Sequence, residues 1–167
     1  MPVVAYQGVP GANSEAATLG YFGPDVTSLP CASFAELFNA VIKGRAEFGT
    51  LPIENSLAGS VIDSYDLLAQ HDLTIVGELF LHIRYQLLAP VGVQIEQVRR
   101  VYSHPQALAQ SHDFLMRHPL MTPVADFDTA GAAREVAARA RGDEAAIAPP
   151  QAGLRYGLIP LAEDIQS

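Results

Sequence analysis

The chain has 167 residues, of which 49 % are hydrophobic and only one is cysteine, enough apolar material to pack a core without cross-links in one domain or two small lobes. Its formal net charge is −8 with a single lysine, Lys43, which excludes nucleic acid as a partner because phosphate binding draws on clustered Lys and Arg. No apolar run approaches the roughly 18 to 20 residues of a membrane span, Met1-Pro2-Val3 leads into a strand rather than a basic signal region, and the lone Cys31 allows no internal disulfide; a cytoplasmic chain with no membrane partner is expected.

Residues 3–6 read as a strand, and Gly8, Pro10 and Gly11 turn it toward a helix near residues 13–19. Ser33-Phe34-Ala35-Glu36 has the form of a capping box, and Phe34, Leu37, Phe38, Val41 and Ile42 share one helical face until Gly44. Residues 48–53 form the next strand, followed by a polar turn and a helix carrying Val61, Ile62, Tyr65, Leu68 and Ala69. From Leu73 the period becomes two: Leu79, Leu81, Ile83, Tyr85 and Leu87 alternate with Glu78, Phe80, His82, Arg84 and Gln86, which predicts one long half-exposed strand leaving the first lobe. Beyond Pro90-Val91-Gly92, strands near residues 100–102, 122–125 and 145–148 are each followed by a helix: 106–117, 129–141, and a short one ending at Gly157. Residues 158–161 read as a return strand. The expectation is an α/β chain in two lobes, residues 1–76 plus 158–167 and residues 77–157.

In open α/β sheets ligands bind beyond the carboxyl ends of strands, where helix N-termini present unpaired N–H groups. Polar turns fall at these junctions: Ser14-Glu15, Glu54-Asn55-Ser56, Ser103-His104 and Asp128-Thr129. Helix capping accounts for any one of them equally well. Asn55 brings an amide that both donates and accepts, or simply closes an Asx turn. Pro105 suits a helix start, and Gln110, four residues after Gln106, shares its helical face. His104 and His112 are eight apart with no Cys or carboxylate to complete a zinc-like set, so no metal is expected. Neither a phosphate loop nor a Gly-x-Gly-x-x-Gly fingerprint is present, nor a nucleophile elbow.

Two segments stand out: Leu51-Pro52-Ile53-Glu54-Asn55-Ser56-Leu57-Ala58-Gly59-Ser60-Val61 and Ser103-His104-Pro105-Gln106-Ala107-Leu108-Ala109-Gln110-Ser111. Both resemble signature segments of the prephenate dehydratases. Gln7-Gly8-Val9-Pro10-Gly11-Ala12-Asn13-Ser14-Glu15 resembles that family's opening segment, and Tyr156-Gly157-Leu158 with Ile165 its closing part. The resemblance implies two Rossmann-like α/β lobes with an interlobe cleft, similar to type II periplasmic binding proteins. It implies conversion of prephenate to phenylpyruvate without metal or organic cofactor, by a homodimer. Asn55, Ser103 and Gln110 would be catalytic, and Ser14, Glu54, Ser56, His104 and Thr129 would bind substrate. The chain departs from the family pattern at Ala12-Asn13, at Asp128 in place of Ser, and at Pro149 in place of Ser. By the same resemblance a Thr-Arg-Phe segment and a phenylalanine-sensing ACT domain would lie beyond Ser167. A non-catalytic module holding a small anion on the same scaffold is the alternative.

Overall fold

The computed structural model describes residues 1–56 and 59–167; Leu57 and Ala58 of the first signature segment lie outside the described residues. The chain divides into two units, residues 1–9 with 13–81 and residues 10–12 with 82–167, each built on its own α/β sheet.

In the first unit, β1 (Val3–Gln7) lies between two parallel neighbours, β2 (Thr27–Cys31) and β3 (Phe48–Thr50). Its central position explains why Val4, Ala5 and Tyr6 are all completely buried. Composition concealed β2, since Thr-Ser-Leu-Pro-Cys neither alternates nor lacks proline; Pro30 is tolerated because β2 is an edge strand. Helix α1 (Asn13–Phe22) precedes β2 and α2 (Phe34–Ile42) comes after it. Ser33 Oγ accepts from Glu36 N at 3.1 Å, but the Glu36 carboxylate returns to Ala32 N at 2.8 Å rather than to Ser33, a capping box displaced by one residue. Leu37, Phe38 and Ala40 pack with Ala5, Cys31 and Ala46, and Gly44 at φ 69° ends the helix. Ile42, expected inside, is exposed because Ala40 completes the buried stripe instead.

The strand expected over residues 48–53 stops at Thr50. Beyond it lies a two-residue hairpin: β4 (Glu54–Asn55) pairs antiparallel with β5 (Gly59–Ser60), and Val61 N donates to Ile53 O at 2.9 Å. Helix α3 (Ile62–Gln70) buries Ser64 and packs Leu67 and Leu68 on the core, leaving Ile62 and Tyr65 exposed. The long alternating strand is also corrected. Of residues 73–89 only Gln86–Ala89 form a strand, β6, since among the described residues only there do neighbouring strands bond to this stretch.

The second unit orders its strands β10-β6-β9-β7-β8, where β7 is Arg100–Ser103, β8 Thr122–Ala125, β9 Glu144–Ala148 and β10 Ile159–Ala162. Strands β8, β7 and β9 are parallel, whereas β6 runs antiparallel to both of its neighbours, β9 and β10. All five residues of β9 are buried, as its place in the middle of the sheet requires. Residues 158–167 thus belong to this unit, not to the first as expected, because the turn at Gly157 (φ 69°) returns the chain alongside β6. The helix expected over residues 106–117 is two, α4 (Pro105–Gln110) and α5 (His112–Met116), broken at Ser111. Helix α6 (Thr129–Arg139) presents Ala130, Ala132, Ala133 and Val136 to the sheet, small residues that let it approach closely. Helix α7 (Pro150–Tyr156) closes the unit.

Candidate functional site

In the first unit Ser14 lies in the first turn of α1. Its carbonyl accepts from the hydroxyl of the fully buried Thr18 at 2.9 Å, and Thr50 Oγ1 stands 2.9 Å from the same hydroxyl. Thr18 has one proton, so Thr50 is the donor in the second bond. The start of α1 is thereby tied to the end of β3, where the chain enters the segment bearing Asn55. Glu15, also buried, accepts from Ser28 Oγ at 3.1 Å, so this residue of the opening motif braces β2.

Glu54 and Ser56 are exposed and Asn55 half-buried. The expectation that they sit at a helix N-terminus is corrected: α3 begins only at Ile62, and its cap, Val61, makes no side-chain bond. Asn55 instead lies in the hairpin opposite Gly59, whose φ of 81° the turn requires. A two-residue strand was not legible because its pattern is too short to carry a period.

In the second unit the polar residues do gather at strand carboxyl ends. Ser103 ends β7; it is completely buried, and its Oγ donates to Ile147 O at 2.6 Å. The neighbouring strand leaves at the same level, where Asp126 N donates to Ser103 O at 2.8 Å. His104 caps α4, its Nδ1 accepting from Gln106 N at 3.2 Å. In the neutral ring this places the proton on Nε2, which becomes a donor. Pro105 occupies the first helical turn. Gln106 and Gln110 are both half-buried, and the Gln110 carbonyl accepts from Ser167 N at 2.7 Å. Thr129 opens α6, capped by Asp128 Oδ2 on Gly131 N at 3.3 Å. The structure thus brings Ser103, His104 and Thr129 to one edge of one sheet, with Gln110 at the far end of the helix that His104 starts.

Three features of this unit escaped the sequence. Tyr85 is buried just before β6. Burial pushes its phenol up, and the carboxylate of Asp128 adds to the shift, so Tyr85 stays protonated near the cap of α6. The closing residues strap this region, with Tyr85 N donating to Gln166 Oε1 at 2.7 Å and Ile165 N to Tyr85 O at 3.1 Å. Residues 10–12 pack on α7: Tyr156 Oη donates to Pro10 O at 2.5 Å, and Gly11, at φ 93°, comes so near that a Cβ there would lie 3.1 Å from Ala152 Cα. Only the alternation that includes Tyr85 and the match of Tyr156 to the family's closing segment hinted at any of this. Pro149 leaves α7 without a side-chain cap. The free Cys31 is buried, and burial first, then Glu36, raises its thiol against the opposing Arg45, as befits a small core residue rather than a nucleophile.

Parallel strands that lead, through Ser103 and His104 and through Asp128 and Thr129, into helix starts define an α/β protein whose polar chemistry lies at the carboxyl edge of its sheet. A profile of the prephenate dehydratase family matches residues 4–167, and the chain belongs to that family. It is 48 % identical over 163 residues to arogenate dehydratase/prephenate dehydratase 2, chloroplastic, of Arabidopsis thaliana, covering 98 % of this chain and 42 % of the plant protein. Among solved structures it matches a prephenate dehydratase from Arthrobacter aurescens in complex with L-Phe at a TM-score of 0.91 and 32 % identity, over 98 % of this chain and 55 % of that one. It matches GqqA, described as a novel type of quorum quenching acylase, at a TM-score of 0.90 and 39 % identity, over 99 % and 60 %. The chain spans less than half the length of the curated relatives it matches. Among the described residues no helix is long and apolar enough to cross a membrane.

Proposed function

We propose that this chain is the catalytic region of a prephenate dehydratase, forming phenylpyruvate, carbon dioxide and water on the route to phenylalanine. The observation that carries this reading is the family match across residues 4–167, which takes in both signature segments. In the reaction the bond from the ring to its carboxylate breaks, the electron pair enters the ring, and the opposite carbon–oxygen bond breaks. The departing hydroxide takes a proton and leaves as water. Aromatisation supplies the driving force. The protein's tasks are therefore a donor at the leaving oxygen, dipoles that orient two carboxylates, and a partly dry wall beside the one being lost.

In this reading Asn55, Ser103 and Gln110 act at the reacting groups, while Ser14, Glu54, Ser56, His104 and Thr129 hold the substrate. The two amides supply N–H donors. Ser103 has its proton committed to Ile147 O, so its oxygen offers lone pairs and orients a donor. His104, with Nδ1 accepting from the backbone, offers Nε2–H to a carboxylate. The proposal includes a homodimer in the cytoplasm that uses no organic cofactor; a single buried free cysteine supports a reducing compartment.

The test is phenylpyruvate formation from prephenate at neutral pH, beside a no-enzyme control because the substrate aromatises spontaneously in acid. Arogenate is assayed in parallel, since the plant relative is named for both activities. Asn55→Ala, Ser103→Ala and Gln110→Ala should each lower kcat by about tenfold or more. Prephenate binding with no turnover in the unmodified chain would replace the enzyme by a small-anion-binding module.

A further inference from the structure

Beyond β10, Asp164-Ile165-Gln166-Ser167 cross from the end of that strand to the start of β6 and on to the end of α4. Gln86 pairs with Ala148 at the carboxyl end of β9, so the crossing follows the edge where Ser103, His104 and Thr129 gather. Asp164 turns the chain at φ 50°, a conformation that costs a residue with a side chain and persists where its surroundings hold it. Arg84 is one such hold, its Nε and Nη2 meeting the carboxylate at 2.6 and 2.5 Å; that contact first, and the Gln166 amide after it, keep the Asp164 carboxyl below its usual range. Ile165 is buried with Tyr85, Leu87 and Phe114, and its N donates to Tyr85 O at 3.1 Å. The Gln166 amide is engaged on both sides, Oε1 accepting from Tyr85 N at 2.7 Å and the nitrogen donating to Asp164. Ser167 N then donates to Gln110 O at 2.7 Å.

We propose that Gln166 is a positioning residue for Gln110: its side chain pins the crossing to Tyr85, and the crossing in turn pins the last turn of α4, which carries Gln110. Helix α4 has six residues and breaks at Ser111 before α5 begins. The Gln110 carbonyl therefore stands where a helix runs out of its own donors, and Ser167 supplies one. Ser167 is exposed and gains no hold from burial, so its place is set by the two residues before it, Ile165 through packing and Gln166 through hydrogen bonds. Such placement matters because a shift of about 1 Å in a group that acts on a reacting atom can cost on the order of a hundredfold in rate. The inference rests on the dehydratase reading for what Gln110 does, but where Gln110 stands is read without turnover.

Gln166→Met keeps the length of the side chain and removes both hydrogen bonds. In an isotopically labelled chain the Gln110 side-chain amide resonances, assigned by their loss in Gln110→Ala, should move or broaden in Gln166→Met, while the backbone amides of β7 and β9 stay in place. With prephenate, kcat should fall about tenfold and KM stay within about twofold. Gln166→Met added to Gln110→Ala should cause no further loss, since the positioned amide is already gone. In the unmodified chain the amides of Tyr85, Ile165 and Ser167 should be protected from hydrogen exchange together. Unmoved Gln110 resonances, an unchanged kcat, a loss that multiplies in full with that of Gln110→Ala, or a Ser167 amide that exchanges freely while those of Tyr85 and Ile165 are protected would each overturn the proposal. An unmodified chain without turnover overturns the dehydratase reading instead, and the resonances and the exchange then decide by themselves whether Gln166 places Gln110.

Discussion

Glu144→Gln should destabilise the second unit while leaving turnover of the folded protein unchanged. Glu144 opens β9, the middle strand of that sheet, and its side chain is 1 % exposed. Arg139 Nε meets one carboxylate oxygen at 2.6 Å; Arg100 at 3.2 Å and Arg141 at 3.8 Å approach the other, with the Tyr102 hydroxyl 3.3 Å away. The Arg139 guanidinium also lies over the Tyr102 ring, 4.5 Å from its centroid. Glutamine keeps the volume and one acceptor but forfeits the charge and the second acceptor, which costs about 1–3 kcal/mol. Glu144→Ala adds a cavity and abandons every partner, so about 3–5 kcal/mol is expected. The lower part of each range is favoured because the three arginines remain partly solvated and can turn to water. In thermal unfolding each kcal/mol should lower Tm by about 2–4 °C for a chain of this size. Kinetics on the folded fraction should show kcat unchanged, since Glu144 sits at the amino end of β9 and Ile147, which receives the Ser103 hydroxyl, near its carboxyl end. If Glu144→Gln unfolds within experimental error of the unmodified protein, the arginine cluster is solvated surface charge and the argument fails. Loss of kcat at unchanged Tm would refute it from the other side.

Gly11→Ala should cost about 1–3 kcal/mol in urea denaturation, because it imposes a side chain at positive φ and meets the backbone of Ala152 at 3.1 Å; a change below that range would show that residues 10–12 can move away from α7. Tyr85 has a folded pKa raised above its ordinary value of 10.0, so its contribution is complete below that value and is lost as pH rises through the raised one. Tyr85→Phe should therefore flatten the alkaline limb of a stability–pH curve and leave the neutral region's slope unaltered. Asp128 caps α6 but offsets part of the positive helix end, so Asp128→Ser should tighten prephenate binding by about 0.3–1 kcal/mol in calorimetric titration; equal affinities would mean that the substrate does not approach this cap.

Much of the second unit was legible. Its strands are short apolar runs succeeded at once by cap residues, so periodicity located β7, β8 and β9, and Ser103, His104 and Thr129 fell at the carboxyl edge that the pattern implied. The first unit was harder. The edge position of β2 relaxes the demand for apolar alternation, and β4 with β5 is too short to have a period. Alternation over residues 78–87 misled because it records which side chains are apolar, whereas a strand also needs a neighbour to complete its hydrogen bonds, and among the described residues of this stretch only β6 has such neighbours.

Local chemistry thus determined the α/β class, the helix starts at Ser33, Pro105 and Asp128, and the family, because capping, proline geometry and motif order act over a few neighbouring residues. Tertiary structure alone decided that Thr18 ties α1 to Thr50, that the Ser103 hydroxyl is spent on Ile147, that Glu144 gathers Arg100, Arg139 and Arg141, and that residues 158–167 return to β6. Each of these bonds joins residues brought together by sheet order or by the packing of a turn. Hydrogen bonds and ion pairs fall away within a few ångströms, so their partners are set by where the folded backbone leads and not by distance along the chain.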